Sequence, residues 1–147
     1  MGRSIKPQNQ PLPEAFRTRK GTIGELKVQT DLTEKKFDVY LPLVDDYGVD
    51  LIVETKAGFK RVQVKTIQSP ATKSSIEVRL QKYARKKLKD RVDIFAIFYS
   101  PKNIIAYVEW DGELSINLAL EEAYNKQRKG VRWFYQYMNF PFPPLRD

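Results

Sequence analysis

The sequence predicts an α/β chain in which helices flank a mixed central β-sheet. Residues 49–67 contain two runs rich in β-branched side chains, joined by the short loop Lys56-Ala57-Gly58, which is the pattern of a hairpin. Residues 92–99, VDIFAIFY, are apolar enough for a central strand. A helical pattern over residues 14–37 precedes both. This order of elements, a helix followed by strands and hairpins, predicts a β-sheet with helices packed against it.

The length and composition indicate one domain with a core of its own. The chain has 147 residues, of which 41% are hydrophobic. Residues 1–13 are polar and carry three prolines, so we expect a flexible N-terminal arm before a single domain over residues 14–147. The arm has no hydrophobic signal segment, and the longest apolar run is too short to span a bilayer. These features predict a cytoplasmic protein with no membrane partner.

The charge and the missing residue types restrict the chemistry. The formal net charge is +8, which indicates a polyanionic partner, with nucleic acid favoured over an anionic membrane. A basic globular protein without such a partner is the alternative. The chain contains no Cys and no His, which excludes thiol nucleophiles, zinc fingers and imidazole bases. Any bound metal is therefore expected to be a hard, oxygen-ligated cation such as Mg²⁺, Mn²⁺ or Ca²⁺.

The first predicted helix carries two glycines one turn apart. Gly21 and Gly24 each weaken a helix by about 1 kcal/mol relative to Ala. They also allow a sheet or a phosphate to approach the helix closely. A strand over residues 37–41, ended by Pro42, is expected to follow the helix.

Basic residues are concentrated in residues 79–91, directly after a predicted strand at 75–80. The segment fits a basic helix or loop on a nucleic-acid backbone and, equally well, the solvated face of an ordinary helix. Together with cations on the first helix, the candidate DNA-binding residues are Arg17, Arg19, Lys20, Arg79, Lys82, Arg85, Lys86, Lys87 and Lys89. Conceivable base-contacting residues are Gln81, Tyr83 and Asn103.

The C-terminal third is predicted to contain a strand, a helix and an aromatic tail. Residues 104–110 complete a second hairpin with the central strand. Asn117 is expected to cap a helix over residues 118–129 that ends at Gly130. The aromatic side chains after Gly130 could stack on bases. A role in the core or in a subunit interface is favoured.

Polar side chains converge on the first hairpin. The period of two puts Gln63 and Lys65 on one strand face, beside the start of the strand that follows Asp50. Asp50 can ligate a divalent cation, and Gln63 or the Val64 carbonyl can add an oxygen. Lys65 can hold a water or the attacked phosphate and stabilise transition-state charge. Glu25, on the first helix, can bind the metal through water or orient a neighbouring group. These parts suit phosphodiester hydrolysis.

The same residues resemble the PD-(D/E)XK nuclease superfamily. The resemblance is carried by Gly24-Glu25 on the first helix, Gly48-Val49-Asp50 opening a strand, and Gln63-Val64-Lys65 on the hairpin partner. It implies a PD-(D/E)XK, or restriction-endonuclease-like, core and Mg²⁺-dependent hydrolysis, with Mn²⁺ as a substitute. Under the resemblance, Asp50 is the metal-binding acid and Lys65 the catalytic lysine. Glu25 matches the first-helix acid of resolvase-like members.

Gln63 departs from the Asp or Glu that is usual at its position. The Gln-Val-Lys form resembles the bacterial group I intron-encoded homing endonucleases, as does the sequence of residues 129–133, and the likeness covers residues 17–135. It implies site-specific cutting of double-stranded DNA by a homo-oligomer, either a dimer or a tetramer. One alternative is a Holliday junction resolvase, which normally has an acid where Gln63 stands. Another is a catalytically inactive DNA-binding protein on the nuclease fold.

Overall fold

The computed structural model describes residues 14–44, 48–85, 88–120 and 131–146. The helices are α1 (Glu14–Glu34) and α2 (Gln81–Arg85). The strands, in chain order, are β1 (Asp38–Tyr40), β2 (Leu51–Thr55), β3 (Gly58–Ile67), β4 (Ser75–Arg79), β5 (Ile94–Tyr99), β6 (Ile104–Glu109) and β7 (Ser115–Ala119). Turns of 3₁₀ helix lie at Leu88–Asp90, Ser100–Lys102 and Phe134–Tyr137. The predicted arm at residues 1–13 lies outside the described residues.

The central sheet is mixed, with the strand order β1-β2-β3-β5-β6. Strand β3 pairs in parallel with β5, whereas the neighbouring pairs are antiparallel. The predicted hairpin is the pair β2–β3, and every residue of the predicted central strand β5 is buried. The predicted α/β class with a mixed central sheet is therefore confirmed.

The helix predicted to begin after Asn117 is wrong at its start. Asn117 lies within β7, which pairs with β4 in a separate two-stranded sheet, and it is opposite Glu77. Ile116 and Leu118 alternate with Asn117 and are fully buried. Burial of these alternate residues against β4 outweighs the preference of Asn for a helix N-terminus. The part of the predicted helix from residue 121 to residue 129 lies outside the described part of the chain.

The two faces of the central sheet bury separate hydrophobic clusters. On one face, α1 contributes Val28 and Leu32, which pack with Val62 and Val64 of β3. On the other face, β4 and β7 pack against alternate residues of β5, such as Phe95. Within the basic segment, Gln81–Arg85 form α2 and Leu88–Asp90 form a 3₁₀ turn, both on the side of β4 and β7. The site described below lies at one end of β3, between α1 and this smaller layer.

Helix α1 contacts β3 most closely at Gly24. A Cβ atom at this position would lie 2.0 Å from the Thr66 Oγ1 atom, so any larger residue would force Thr66 or the helix to shift. At Gly21 a Cβ atom would meet nothing within 4 Å. The close approach predicted from the two glycines is therefore an approach to the sheet at Gly24. The helix ends before Lys36, which adopts a left-handed φ of 70°.

The aromatic tail contributes to the core. Phe134 and Phe140 are buried, and the Phe140 ring packs on Phe37 and Tyr107 with centroid distances of 5.1 and 5.4 Å. The prediction that the tail belongs to a core or interface is confirmed for these two rings. None of the described helices is long and apolar enough to cross a membrane.

Candidate active site

The predicted catalytic residues line one open cleft of about 590 Å³ beside β3. Glu25 enters from α1, Asp50 precedes β2, and Gln63, Val64 and Lys65 belong to β3. The other lining residues are Lys20, Gly21, Thr66, Ile67, Gln68, Ser69 and Glu77. The hairpin brings Asp50 and the Gln63-Val64-Lys65 segment together, as the sequence predicted, and α1 adds the acid.

Backbone hydrogen bonds fix the position of Asp50. Its N–H donates to the Val62 carbonyl at 2.8 Å, and its Oδ2 accepts from the Val64 N–H at 2.7 Å. Gly48, with φ of 75°, makes the turn that leads the chain into this position. The carboxylate is therefore held against β3 at the point where β2 begins.

The Val64 carbonyl points to the same side of β3 as Asp50. Alternate residues of a strand direct their N–H and C=O groups to the same neighbour, so Val64 behaves as Val62 does. The Val62 carbonyl accepts from Asp50, but β2 starts at Leu51, opposite Val62, and does not extend to Val64. The Val64 carbonyl oxygen is thus directed into the region next to the Asp50 carboxylate.

Gln63 supplies an oxygen whose hydrogen-bonding capacity is not used. Among the described residues, its Oε1 is buried and has no hydrogen-bond partner. Its Nε2 lies 3.4 Å from the Val64 carbonyl, which is a weak hydrogen bond at best. A buried, unsatisfied acceptor is costly, and in native proteins it commonly marks the site of an ion or an ordered water. This oxygen fits a cation ligand.

Lys65 places its ammonium group in contact with an aromatic ring. Its Nζ lies 4.2 Å from the centroid of Tyr83 in α2. Burial lowers the pKa of Lys65, and the nearby cation Lys82 lowers it further, while Asp50 opposes both effects. The charge on Lys65 is therefore partly desolvated and lies near the Asp50 carboxylate.

Glu77 is a cleft residue that sequence reasoning missed. It lies in β4 between the buried residues Ile76 and Val78, so its side chain is on the opposite strand face, toward the cleft. Its Oε1 accepts from the Arg79 Nε at 2.8 Å. The alternation of residues 75–80 predicted the strand, but nothing local to it indicates that β4 lies beside the Asp50 site.

The candidate DNA-binding residues divide into three groups. Lys20 lines the cleft and donates to the Gln68 Oε1 at 2.6 Å. The exposed members are Arg19, Arg79, Lys82 and Arg85. The side chains that lie outside the description are those of Arg17, Lys86, Lys87 and Lys89.

The donor atoms of the cleft fit a hard cation. The oxygens come from the Asp50 and Glu25 carboxylates, the Gln63 amide and the Val64 carbonyl, which are ligand types that Mg²⁺, Mn²⁺ and Ca²⁺ accept. Within the described ranges, no group of three or more Asp, Glu, His or Cys residues is arranged to hold a metal ion. A cation here would therefore depend on the neutral oxygens as well as on the two carboxylates.

The family of the chain follows from comparison with known proteins. A family model described as PD-(D/E)XK endonuclease matches residues 17–140, which is most of the chain. The chain therefore belongs to the PD-(D/E)XK endonuclease family, and the resemblance seen in the Asp50 and Gln63-Val64-Lys65 motifs is confirmed.

Comparison with solved structures identifies a protein of similar fold. The protein is similar to a bacterial homing endonuclease, I-Ssp6803I, with a TM-score of 0.59 and 18% sequence identity. The match covers 82% of this chain and 84% of that chain. At this identity the likeness establishes a shared fold. None of the curated proteins compared with the chain matches it.

Proposed function

We propose that this protein is a divalent-metal-dependent endonuclease that hydrolyses phosphodiester bonds in duplex DNA and acts at specific sites in intron homing. The observation that carries the proposal is the convergence of Asp50, Gln63, Val64, Lys65 and Glu25 in one open cleft. Membership of the PD-(D/E)XK endonuclease family supports the reaction class. The fold shared with a bacterial homing endonuclease supports the homing role.

Each residue has a role that follows from its chemistry. Asp50, the Val64 carbonyl and the Gln63 Oε1 would hold Mg²⁺, or Mn²⁺ in its place, and Glu25 would complete the oxygen environment. A bound cation supplies an activated water and offsets charge on the phosphate. Lys65 binds the attacked phosphate and stabilises the negative charge that develops on it.

The surface around the cleft suits a DNA backbone. Lys20 lines the cleft, Lys82 is close enough to affect the pKa of Lys65, and Arg19, Arg79 and Arg85 are exposed cations on the neighbouring elements α1, β4 and α2. Contacts of this kind give affinity that falls as salt rises. A homo-oligomer, either a dimer or a tetramer, supplies a second cleft for the other strand of the duplex.

The proposal is tested by incubating the purified protein with supercoiled plasmid, genomic DNA and four-way junctions. Each substrate is tested with Mg²⁺, with Mn²⁺ and with a chelator, and linear and nicked products are separated by electrophoresis. Cutting that needs the metal and is lost in Lys65→Ala supports the proposal. Binding of Mn²⁺, measured by calorimetry, should survive in Lys65→Ala and fail in Asp50→Asn.

The same experiment separates the other activities that share this fold. Preference for four-way junctions over linear duplex would identify a resolvase. Salt-dependent DNA binding without cutting, in the wild type and the variants alike, would identify an inactive DNA-binding protein. Absence of both DNA binding and cutting would contradict the proposal as a whole.

A further inference from the structure

Tyr83 stands next to the catalytic site without being one of its motif residues. It lies in α2, on the connection between the parallel strands β3 and β5. Its ring centroid is 4.2 Å from the Lys65 Nζ, which is within the range of a cation–π interaction. The chain thus brings an aromatic ring from a separate segment to the lysine of the Gln63-Val64-Lys65 motif.

Aromatic residues of the hydrophobic core pack against the Tyr83 ring. Tyr83 packs edge-on against Phe95 of β5, with a centroid distance of 5.4 Å and an interplanar angle of 75°. Phe95 is fully buried and packs in the same manner against Trp110, at 5.2 Å. Edge-to-face contacts of this kind fix ring orientation. The ring that contacts Lys65 therefore belongs to a chain of three aromatic rings in edge contact, Tyr83, Phe95 and Trp110.

The same ring adjoins the turn that leads to Asp50. A Cβ atom at Gly48 would lie 3.8 Å from the Tyr83 Cε1 and 3.5 Å from the Gln63 Oε1. Tyr83 is thus packed close to the chain on both sides of the site, at Gly48 before Asp50 and at Lys65 after Gln63. A side chain in this place can set the relative position of the two motif segments.

We propose that Tyr83 is a positioning residue whose ring face holds the Lys65 ammonium in the cleft. The lysine side chain has several rotatable bonds, and fixing them in the reactive arrangement costs conformational entropy. A ring face attracts the ammonium without occupying an oxygen of the cleft, so the buried Gln63 Oε1 stays available to a cation. The inference rests on the proposed nuclease function for its kinetic consequence, but its structural consequence is independent of cleavage.

The structural consequence is tested by nuclear magnetic resonance. Because the Lys65 Nζ lies 4.2 Å from the Tyr83 ring centroid, the protons on the adjoining ε-carbon should show upfield ring-current shifts, assigned by their loss in Lys65→Arg. We expect Tyr83→Phe to keep these shifts and Tyr83→Leu to remove them. Tyr135→Leu, at an exposed tyrosine elsewhere on the surface, is the matched control. Shifts that are absent in the wild type, or that persist in Tyr83→Leu, would overturn the proposal.

The kinetic consequence is tested on the same proteins. Tyr83→Leu should lower kcat about 10-fold with little change in KM, and Tyr83→Phe should restore it. Urea unfolding confirms that each variant is folded. Equal loss in Tyr83→Phe and Tyr83→Leu would assign the effect to the hydroxyl and overturn the role of the ring. If the wild type cuts no DNA, the nuclease proposal fails, and the resonance shifts alone decide the role of Tyr83.

Discussion

Two arrangements of an acid and a cation lie along β3, one of Arg61 with Asp93 and the other of Lys65 with Asp50. Arg61 donates from Nε to the Asp93 Oδ2 and from Nη2 to Oδ1, both at 3.1 Å, and its backbone N–H adds a bond of 2.8 Å to Oδ2. The Asp93 N–H returns a bond of 3.0 Å to the Arg61 carbonyl. Both oxygens of this carboxylate are therefore occupied by one residue.

At the Lys65 end of the strand, one buried polar atom has no hydrogen-bond partner among the described residues. This atom is the Gln63 Oε1, two residues before Lys65, whose ammonium contacts an aromatic ring. Burial raises the pKa of Asp93, but the hydrogen bonds from Arg61 outweigh burial and leave that pKa lowered. For Lys65, burial lowers the pKa and outweighs the attraction of Asp50.

The two ends of β3 differ in how far their polar groups are hydrogen-bonded, and this difference suggests a structural role for one end and a ligand-binding role for the other. Natural proteins satisfy polar groups in structural positions and leave them incomplete where something else must bind. We therefore interpret Arg61 and Asp93 as the structural pair that joins β3 to the start of β5. The unpaired Gln63 Oε1, in the cleft that Asp50 and Lys65 also line, is consistent with the binding site proposed above.

The largest expected effect is on catalysis in Asp50→Asn. Asn keeps an oxygen acceptor for the Val64 N–H but removes the negative charge that a cation needs. We expect DNA cleavage to fall roughly 10³-fold while the free energy of unfolding changes little. Initial cleavage rates and urea titrations measure the two quantities. A large loss of stability in this variant would show that Asp50 stabilises the fold, as Asp93 is expected to do.

The next largest effect is on stability in Asp93→Asn. The change removes the charged partner of the partly buried Arg61 hydrogen bonds, so the free energy of unfolding should fall by about 1–2 kcal/mol at neutral pH. Urea or thermal unfolding monitored by circular dichroism measures it. Below the unfolding transition, cleavage by the folded fraction should equal that of the wild type. Loss of cleavage in fully folded Asp93→Asn protein would contradict a purely structural role for the Arg61–Asp93 pair.

A smaller pair of effects concerns the helix that brings Glu25 to the site. Gly24→Ala places a methyl group against Thr66, and overpacking of this kind should cost about 1–3 kcal/mol and shift α1 away from β3. Gly21→Ala, one turn earlier, meets no neighbouring atom and should gain about 0.5–1 kcal/mol of stability. Unfolding curves of the two variants give the comparison. Equal effects of the two substitutions would contradict the close contact at Gly24.

The smallest effect is the pH dependence of the structural pair. The pKa of Asp93 is lowered in the folded state, so its contribution is fully present above the unfolded pKa and is lost as pH falls through the lowered value. The stability difference between wild type and Asp93→Asn should therefore be constant above about pH 5 and shrink progressively as pH falls below the unfolded pKa of about 4. Unfolding titrations across this range measure the difference. A difference that is constant down to acidic pH would contradict the ion pair.

Much of the fold was predictable because its signals are local. The hairpin and the central strand follow from alternation and apolar runs, and the hairpin alone brings Asp50 near Gln63 and Lys65. Contacts made by the crossover segment were not predictable, since Glu77 and Tyr83 reach the site only through the packing of β4 and α2 on the sheet. The prediction that Asn117 caps a helix was wrong because it also rested on local preference alone. Asn favours a helix start, but pairing of β7 with β4 decides the conformation of Asn117.

The most direct measurement compares Lys65→Met with Arg61→Met, recording the cleavage rate and the free energy of unfolding for each variant. Both substitutions replace a cation of β3 with an unbranched apolar side chain of similar length. We expect Lys65→Met to lose cleavage about 10²–10³-fold with stability unchanged or raised, because a partly desolvated charge is removed. We expect Arg61→Met to lose about 2 kcal/mol of stability and to keep cleavage while it is folded. Proportional losses of cleavage and stability in both variants would contradict the division between a structural and a catalytic end of β3.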